Sequence, residues 1–527
     1  MSFSWEFPYR SQRMPVLARN VVATSQPLAA EAGLEMLRRG GNAVDAAIAT
    51  AIALTVVEPT SNGIGSDAFA IVWNGTGLQG LNASGRSPKA ITLEHFAGRA
   101  DPGRLGWDVV TVPGAVSAWV ALSKRFGKLP FGSLFEPAVR YAHDGYLVSP
   151  ITAAAWRRAP EIYAAFPSFQ ATFAPQGRAP RAGELFRSPD HARTLALIAE
   201  SEGAAFYRGS LADQIVAHAR ATGGLMALED LAEHRADWVT PMQQDYHGWT
   251  LHEIPPNGQG LAALIALGLL QHTDLPAYAP DSADSIHLQS EAMKIAFAEA
   301  HRHIADPAWM DVAPETLLHP DFLVARAREI DLARAAFPTS ALPVDHGTVY
   351  LTAADASGMM ISMIQSNYAG FGSGIVIPGT GISLQNRGSG FCLQPGHPNC
   401  IAGGKRPYHT IIPGFVTRAG APVMSFGVMG GHMQPQGHVQ MMVRIFAQGL
   451  NPQAASDAPR WYVEEDSSLS LEPGVAPEVV AELRRRGHRV NPDLPPGRFG
   501  GAQAIYRLED GYCAASDSRK DGQAVGF

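Results

Sequence analysis

The sequence has little cysteine, little charge and no long uncharged apolar run. Its three cysteines, Cys392, Cys400 and Cys513, are too few for a disulfide framework in 527 residues and are typical of a reduced compartment. Charged residues make up 17 % and the formal net charge is −7, which excludes a basic surface for nucleic acid or anionic membrane. The most apolar run, residues 42–57, contains Asp45 and is shorter than the ~20 residues that span a bilayer. We therefore expect a soluble, cytoplasmic protein without nucleic-acid or membrane partners.

What the sequence does have is an order of elements that favours an α+β fold. Helical periodicity dominates the first part, hairpins follow, and mixed elements come last, which indicates antiparallel sheets covered by helices rather than a doubly wound sheet. The predicted helices are residues 29–39, 43–57, 115–126, 134–144, 285–303, 314–342, 436–448 and 476–486. The predicted strands are residues 69–73, 348–354, 359–366, 410–416, 423–428 and 502–507. Between them, residues 370–407 are rich in glycine and proline and predict loops.

A loose dinucleotide fingerprint occurs at Gly63-Ile-Gly65-Ser-Asp-Ala68. It follows a predicted helix and precedes a predicted strand, the reverse of the order that places a phosphate at a helix N-terminus. We therefore interpret it as a tight turn and expect no nucleotide cofactor.

Cysteine and histidine residues are also concentrated in the second half of the chain, at Cys392, His397, Cys400, His409, His432 and His438. Their spacing contains neither a Cys-x2-Cys pair nor a His-Glu-x-x-His motif. We predict no metal and no cofactor, and we keep a metal-dependent amidase that uses this cluster as an alternative.

The step from Gly347 to Thr348 marks a change of sequence character and offers a different chemistry. A threonine that becomes the first residue of a chain can act as a nucleophile with its own α-amine as the base, since that amine has a pKa near ~8. If residues 355–358 form the hairpin loop, Thr348 lies opposite Gln365 and beside Ser366. A hydroxyl at Ser366 can then orient the nucleophile.

These residues belong to a series of motifs that resembles the gamma-glutamyltranspeptidase family of N-terminal-nucleophile hydrolases, including its oxamate-cleaving members, almost from end to end. The first half carries Ser25-Gln-Pro-Leu-Ala, Gly40-Gly-Asn-Ala-Val-Asp-Ala-Ala, Val57-Glu-Pro, Val112-Pro-Gly, Asp245-Tyr-His-Gly and His287-Leu-Gln-Ser-Glu-Ala-Met-Lys. The second half carries Phe371-Gly-Ser-Gly-Ile, Gly404-Lys-Arg-Pro, Gly430-Gly431 and Asp517-Ser-Arg-Lys-Asp-Gly.

The resemblance implies a four-layer αββα sandwich made from one self-cleaved precursor. It implies cleavage between Gly347 and Thr348, giving a large chain, 1–347, and a small chain, 348–527, that together form one domain. It assigns the nucleophile to Thr348, its hydroxyl partner to Ser366 and the oxyanion-hole glycines to Gly430 and Gly431. The nucleophile motif here is Thr348-Val-Tyr-Leu-Thr-Ala-Ala-Asp355, which keeps the first threonine and the aspartate but lacks the family's second threonine and histidine.

The substrate-binding motifs of the family are altered in this chain. Ser389-Gly390-Phe391 stands where the family has an acidic pair that binds the glutamyl α-amine, so a donor ammonium would need another acid, such as Asp67. Tyr408-His409-Thr410 replaces a leucine followed by paired serines, and Tyr368 replaces an asparagine. Arg86, in Ser84-Gly-Arg-Ser-Pro88, is the candidate for the family's carboxylate-binding arginine; a surface turn arginine is the alternative.

Together these features predict an amide hydrolase that acts through an acyl-enzyme on Thr348. We predict that the substrate is a small carboxylate-bearing amide of the oxamate type. Arg86 is predicted to bind its carboxylate. The predicted pocket is narrowed by Tyr368, Tyr408 and His409, with Thr410 beside them. Gamma-glutamyl hydrolysis or transfer on glutathione is the competing substrate class. A family member that does not mature and serves only to bind is an alternative of another class. The oligomeric state, including a homo-oligomer, is left open.

Overall fold

The computed structural model describes Trp5, residues 12–338 and residues 347–527. Within these residues, no helix is both long enough and apolar enough to cross a membrane.

The strands fall into two seven-stranded antiparallel sheets and two small ones. The strands are β1 (Val16–Ala18), β2 (Val21–Thr24), β3 (Asp67–Trp73), β4 (Leu78–Asn82), β5 (Tyr146–Leu147), β6 (Leu185–Phe186), β7 (Asp237–Val239), β8 (Met242–Tyr246), β9 (Trp249–Glu253), β10 (Val349–Ala354), β11 (Met360–Ser366), β12 (Gly414–Arg418), β13 (Ala421–Met429), β14 (Trp461–Val463), β15 (Leu469–Leu471), β16 (Val490–Asn491), β17 (Gly501–Arg507), β18 (Tyr512–Ser516) and β19 (Gln523–Gly526).

Helices flank these strands throughout the described residues. The α-helices are α1 (Pro27–Arg38), α2 (Ala43–Val57), α3 (Ala115–Phe126), α4 (Glu136–Asp144), α5 (Pro150–Trp156), α6 (Ala159–Ile162), α7 (Pro167–Phe173), α8 (Pro189–Glu200), α9 (Ala204–Arg208), α10 (Ser210–Ala221), α11 (Leu228–Glu233), α12 (Gly260–Leu270), α13 (Ala283–His303), α14 (Pro320–Ala327), α15 (Met433–Met442), α16 (Pro452–Asp457) and α17 (Pro477–Arg485).

The two large sheets draw strands from both sides of the Gly347–Thr348 bond. Sheet A has the order β1-β18-β17-β13-β12-β9-β8, and sheet B has the order β19-β2-β10-β11-β3-β4-β7. In sheet B the hairpin β10–β11 lies between β2 and β3, so a strand that follows Thr348 pairs with one from the beginning of the chain. Each half of the chain therefore completes the sheets of the other.

Three of the four apolar clusters among the described residues show that the sheets and helices form four layers. One core, which includes Ile48 and Trp119, packs α1–α4 against one face of sheet B. A second, which includes Leu264, packs α12, α13 and α15 against sheet A. The third, which includes Phe69 and Ile505, lies between the two sheets. The αββα prediction is confirmed, and burial on both faces explains why the central strands are mostly apolar.

Helix α2 shows how local sequence fixes an element next to the site. Asn42 accepts hydrogen bonds from the backbone N–H groups of Val44 and Asp45, and the Asp45 carboxylate accepts one from the Asn42 backbone, which is a capping box. Every residue of α2 is buried, as its all-round apolar sequence predicts, and it packs under β10 and β11.

Two predicted elements are wrong in extent. Residues 314–342 predict one helix, but the described part has a 3-10 turn at Pro314–Leu318 and then α14, because Pro320 begins a new helix; residues 339–342 lie outside the described residues. Residues 410–416 predict a strand, but β12 begins only at Gly414, since the amide of Ile412 is bonded to the Gln434 side chain instead.

Candidate active site

The site lies where three neighbouring strands of sheet B end together. Val349 pairs with Gln365, which sets Thr348 directly opposite Ser366, and Ser366 pairs in turn with Asp67 on β3. The sequence prediction, Thr348 opposite Gln365, is wrong by one position because the hairpin loop has five residues, 355–359, rather than four. The correction brings the two hydroxyls closer than predicted.

Thr348 and Ser366 form a hydroxyl pair at the bond that the sequence predicts to be cleaved. The Thr348 Oγ1 atom lies 3.1 Å from Ser366 Oγ, and both residues are buried. Ser366 donates its single proton to the carbonyl oxygen of Gly347 over 2.6 Å, so the Thr348 hydroxyl is the donor in the pair. Ser366 thus contacts both the predicted nucleophile and the carbonyl that it is predicted to attack.

Only glycine fits at position 347. A Cβ atom there would lie 2.4 Å from the backbone nitrogen of Gly370 and 3.0 Å from the carbonyl oxygen of Tyr368. Tyr368 itself has φ +76°, an uncommon value for a bulky residue, and its amide donates to Ser366 Oγ over 2.8 Å. The backbone around the Gly347–Thr348 bond is therefore closely packed by the turn that follows β11.

Arg387 is the cation next to this pair, and sequence reasoning missed it. Its Nη2 lies 3.3 Å from Ser366 Oγ, and its Nη1 donates to Thr410 Oγ1 over 2.6 Å. The guanidinium stacks on the ring of Tyr368 with its central carbon 4.4 Å from the centroid. Burial lowers the pKa of Arg387 to about 10, against the opposing effect of Asp67, so it remains a cation at neutral pH. Arg387 lies three residues before Gly390, in the stretch that departs from the family motif. That departure is the sequence signal that could have identified Arg387.

Asp67 and His409 form a second buried pair behind Arg387. Asp67 Oδ2 lies 3.1 Å from His409 Nε2, and both side chains are fully buried. Burial raises the pKa of Asp67 to about 7 although Arg387 lowers it, and burial lowers the pKa of His409 well below its usual value. The predicted substrate contact at His409 is thus a buried partner of Asp67, below the wall of the cavity.

The predicted oxyanion-hole glycines lie in the turn between β13 and α15. Gly430 and Gly431 have φ values of +118° and +57°, which favour glycine. The carbonyl of Gly431 accepts a hydrogen bond from Gln259 Nε2 over 2.9 Å, and the same nitrogen donates to the carbonyl of Thr410. Gln259, a second residue that sequence reasoning missed, thereby connects this turn to the segment before β12 in which Thr410 contacts Arg387.

A cavity of about 950 Å³ opens beside these residues. Three of the predicted substrate contacts line it, Tyr368, Tyr408 and Thr410, and Gly390 lines it as well. Tyr408 donates its hydroxyl proton to Gln259 over 3.0 Å, which holds its ring in the wall. The structure therefore brings together the residues that replace the family's glutamyl-binding motifs.

Arg86, the predicted carboxylate contact, lies elsewhere. Its guanidinium pairs with Asp306 at 2.6 Å and donates to the carbonyl of Gly404, and its side chain is 46 % exposed. It lines a separate, smaller cavity with Arg406 and Asp237. Its role toward the substrate stays a prediction.

The predicted cysteine and histidine cluster does not converge on one point. His409 is bonded to Asp67, His438 is bonded to Glu253 at 2.6 Å, and His397 contacts the carbonyl of His301. Over the described ranges, the group close enough to hold a metal is a different one, His287, Glu291 and His488, and Lys294 already donates to its carboxylate. Residues 63–66 lie in the connection between α2 and β3, and Asp67 and Ala68 begin β3, in agreement with the helix-to-strand turn interpretation.

Comparison with known proteins gives the family. The gamma-glutamyltranspeptidase family model matches residues 29–527. The chain is 36 % identical over 520 residues to the glutathione hydrolase-like YwrD proenzyme of Bacillus subtilis (strain 168), covering 97 % of this chain and 98 % of the relative. It is 37 % identical over 516 residues to the oxamate amidohydrolase proenzyme of Klebsiella pneumoniae, covering 95 % and 97 %.

A solved structure agrees over the full length. The crystal structure of a cephalosporin acylase from Bacillus halodurans superimposes with a TM-score of 0.96 at 48 % identity, covering 100 % of this chain and 99 % of that one. The chain therefore belongs to the gamma-glutamyltranspeptidase family, and it is an enzyme, a self-processing hydrolase of the N-terminal-nucleophile type.

Proposed function

We propose that the protein cleaves itself between Gly347 and Thr348 and then hydrolyses a small carboxylate-bearing amide through an acyl-enzyme on Thr348. The observation that carries the proposal is the position of Ser366, 3.1 Å from the Thr348 hydroxyl and 2.6 Å from the Gly347 carbonyl oxygen. A nucleophile, a polarised carbonyl and a closely packed backbone meet there, as an intramolecular attack requires.

Self-cleavage follows from this geometry in two steps. Thr348 Oγ1 bonds to the carbonyl carbon of Gly347, the carbon–nitrogen bond breaks, and the released α-amine of Thr348 takes the hydroxyl proton. Water then hydrolyses the ester, which leaves a carboxylate on Gly347 and a free hydroxyl and amine on Thr348. Ser366 donates to the carbonyl oxygen as it gains negative charge.

Substrate turnover uses the same groups in a second round. The free α-amine of Thr348 accepts the hydroxyl proton, Oγ1 attacks the substrate amide carbon, and the amine returns the proton to the leaving nitrogen. The backbone N–H groups of Gly430 and Gly431 are assigned to the oxyanion. Water releases the acid from Thr348 and completes the cycle.

The composition of the cavity supports an acid without a free α-amine. Gly390 contributes no side chain to the wall, and Arg387, a buried cation behind Tyr368 and Thr410, repels a donor ammonium. The acids that line the cavity are Asp101, Glu299 and Glu465. The rings of Tyr368 and Tyr408 narrow the cavity beside Gly390. The name of the Klebsiella relative, oxamate amidohydrolase, agrees with a short amidated acid.

Glutathione is the second candidate donor, since the Bacillus subtilis relative is named a glutathione hydrolase-like proenzyme.

The deciding experiment compares kcat/KM of the mature enzyme for oxamate, glutathione and deaminated glutathione. A buried donor ammonium without a partner loses a charge-assisted hydrogen bond of about 1.5–3 kcal/mol, so we expect no advantage of glutathione over its deaminated form. A glutathione preference of about a hundredfold, the size of that bond, would overturn the substrate assignment.

A further inference from the structure

We propose that Arg387 forms a carboxylate-binding subsite beside the nucleophile, which selects monoamides of short dicarboxylic acids. The inference rests on the proposed function, because it places the acid group of the substrate relative to Thr348. It differs from the sequence prediction, which gives the same task to Arg86.

The first argument is the unbalanced charge. Arg387 is fully buried, and within the described parts of the chain no carboxylate lies within salt-bridge distance of its guanidinium. Asp67, the acid that acts on it through space, is itself bonded to His409. A buried cation without a paired anion is costly, and it is retained where a ligand supplies the anion. Arg86, by contrast, already has the buried carboxylate of Asp306 at 2.6 Å.

The second argument is the unused hydrogen-bonding capacity. A guanidinium has five N–H donors, and the protein contacts of this one are Thr410 at Nη1 and Ser366 at Nη2. The Nε atom of Arg387 is buried and has no hydrogen-bond partner among the residues that the structure describes. A fork of Nε–H and a neighbouring Nη hydrogen matches the two oxygens of a carboxylate.

The third argument is access. Arg387 lies one side chain behind the wall of the large cavity, since Tyr368 and Thr410 both line the cavity and both contact its guanidinium. Gly390, three residues further along the chain, leaves the wall without a side chain. A carboxylate that reaches the Thr348–Ser366 pair from the cavity therefore arrives next to Arg387.

The fourth argument is length. Thr348 Oγ1 lies 3.1 Å from Ser366 Oγ, and Ser366 Oγ lies 3.3 Å from Arg387 Nη2. Nη2 is therefore at most about 6.4 Å from the nucleophilic oxygen, Thr348 Oγ1. In an oxalyl ester the carboxylate oxygen lies about 3–3.5 Å from the ester oxygen, and a charge-assisted hydrogen bond adds about 2.8 Å. A two-carbon acid fits this span, whereas the carboxylate of a glutamyl group lies several bonds further from its reacting carbon.

The test compares oxamate with oxamide, a neutral molecule of the same size, by ammonia release from mature enzyme whose processing is verified by intact mass. We expect Arg387→Gln to lower the ratio of kcat/KM for oxamate over oxamide by about a hundredfold and Arg387→Lys by about tenfold, because lysine keeps the charge but not the fork. Arg178→Gln, at an exposed ion pair with Glu184, is the control and keeps the wild-type ratio.

Three results would overturn the inference. The first is an unchanged oxamate-to-oxamide ratio of kcat/KM in Arg387→Gln, and the second is an unchanged ratio in Arg387→Lys if the glutamine variant does not mature. The third is a collapsed ratio in Arg86→Gln instead.

Calorimetric titration with oxalate separates this inference from the proposed function. If wild-type enzyme cleaves neither amide but binds oxalate, and Arg387→Lys weakens that binding about tenfold, the subsite stands and the proposed hydrolysis fails. If oxamate is cleaved but oxalate binds both forms equally, the hydrolysis stands and the subsite fails.

Discussion

At the scale of single residues, Ser366 contacts both groups of the proposed cleavage reaction. It bonds to the Thr348 hydroxyl, the Gly347 carbonyl and the Tyr368 amide, and it lies next to Arg387. In the proposed mechanism it orients the nucleophile and polarises the carbonyl but forms no bond to the acyl group. Its loss should slow the chemistry without abolishing it.

We expect Ser366→Ala to process and to turn over substrate up to about tenfold more slowly than the wild type, because one neutral hydrogen bond contributes about 1 kcal/mol. Rates of processing are read by electrophoresis over time, and turnover by ammonia release. Ser362→Ala is the matched control: the residue is buried on the same strand and bonds to Tyr350. Equal effects of the two variants would remove Ser366 from the site.

The site could be predicted from the sequence only in part, and the reason is visible in particular residues. Thr348 and Ser366 share a hairpin, so local pattern finds them. Arg387 and Gln259 come from distant loops, and only tertiary packing brings them to Thr410. Arg86 is the opposite case: a motif of altered spacing suggests a substrate contact, packing pairs the guanidinium with Asp306, and the role toward the substrate stays a prediction.

At the scale of elements, the hairpin β10–β11 is held in register by its loop. Asp355 accepts a hydrogen bond over 2.7 Å from the backbone N–H of Ala43, the first residue of α2, and another from the amide of Ser357. A carboxylate at a helix N-terminus also interacts favourably with the helix dipole. This contact fixes the hairpin against the helix that packs beneath it.

Replacing Asp355 with alanine should lower the free energy of unfolding by about 1–2 kcal/mol, the usual cost of a lost helix cap. Denaturant titration of the mature enzyme measures it. Asn74→Ala, which removes the same kind of turn contact at an exposed loop, is the control and should cost less than about 0.5 kcal/mol. A cost for Asp355→Ala no larger than that of the control would show that the loop does not hold the hairpin.

Elements with strong local signals were predictable, and those set by tertiary context were not. The capping residue and apolar run of α2 give its limits, residues 43–57, from sequence alone. The composition of residues 314–342 favours one helix, so it does not indicate that a new helix begins at Pro320. Helix α12 is apolar on all faces, so no periodicity distinguishes it from a buried strand.

At the scale of the whole molecule, the two halves of the precursor are interlocked. Both large sheets contain strands from before and after Gly347, and Arg13, near the start of the chain, donates to the backbone of Asp517, near its end. The Asp517 carboxylate, in turn, is buried between Arg460 at 2.6 Å and Arg519 at 3.1 Å. We therefore expect that the proposed cleavage before Thr348 leaves one folded body.

We expect Asp517→Asn to destabilise this body by about 3–5 kcal/mol at pH 7, since it leaves the buried Arg460 without its paired anion and Arg519 with Glu472 alone. Burial raises the pKa of Asp517, but Arg460 and Arg519 outweigh it and hold that pKa well below its usual value. The stabilisation is thus present above about pH 4, the pKa of an unfolded aspartate, and falls as the pH drops below it. Denaturant titrations at pH 7 and pH 3 measure the free energy of unfolding. The difference in this free energy between variant and wild type should be smaller at pH 3 than at pH 7.

The control for this prediction is Glu184→Gln, which breaks the exposed pair with Arg178 and should cost less than about 1 kcal/mol. An Asp517→Asn protein as stable at pH 7 as this control would contradict the buried-network account.

The central claim, that Thr348 is the nucleophile released by self-cleavage, is tested most directly by intact mass spectrometry of purified wild type and Thr348→Ala. Wild type should give two chains that co-purify and separate only on denaturation, the smaller beginning at Thr348 with 180 of the 527 residues. Thr348→Ala should give one full-length mass and no turnover, because no hydroxyl remains to attack Gly347. A two-chain Thr348→Ala protein, or a full-length wild type that is active, would contradict the account.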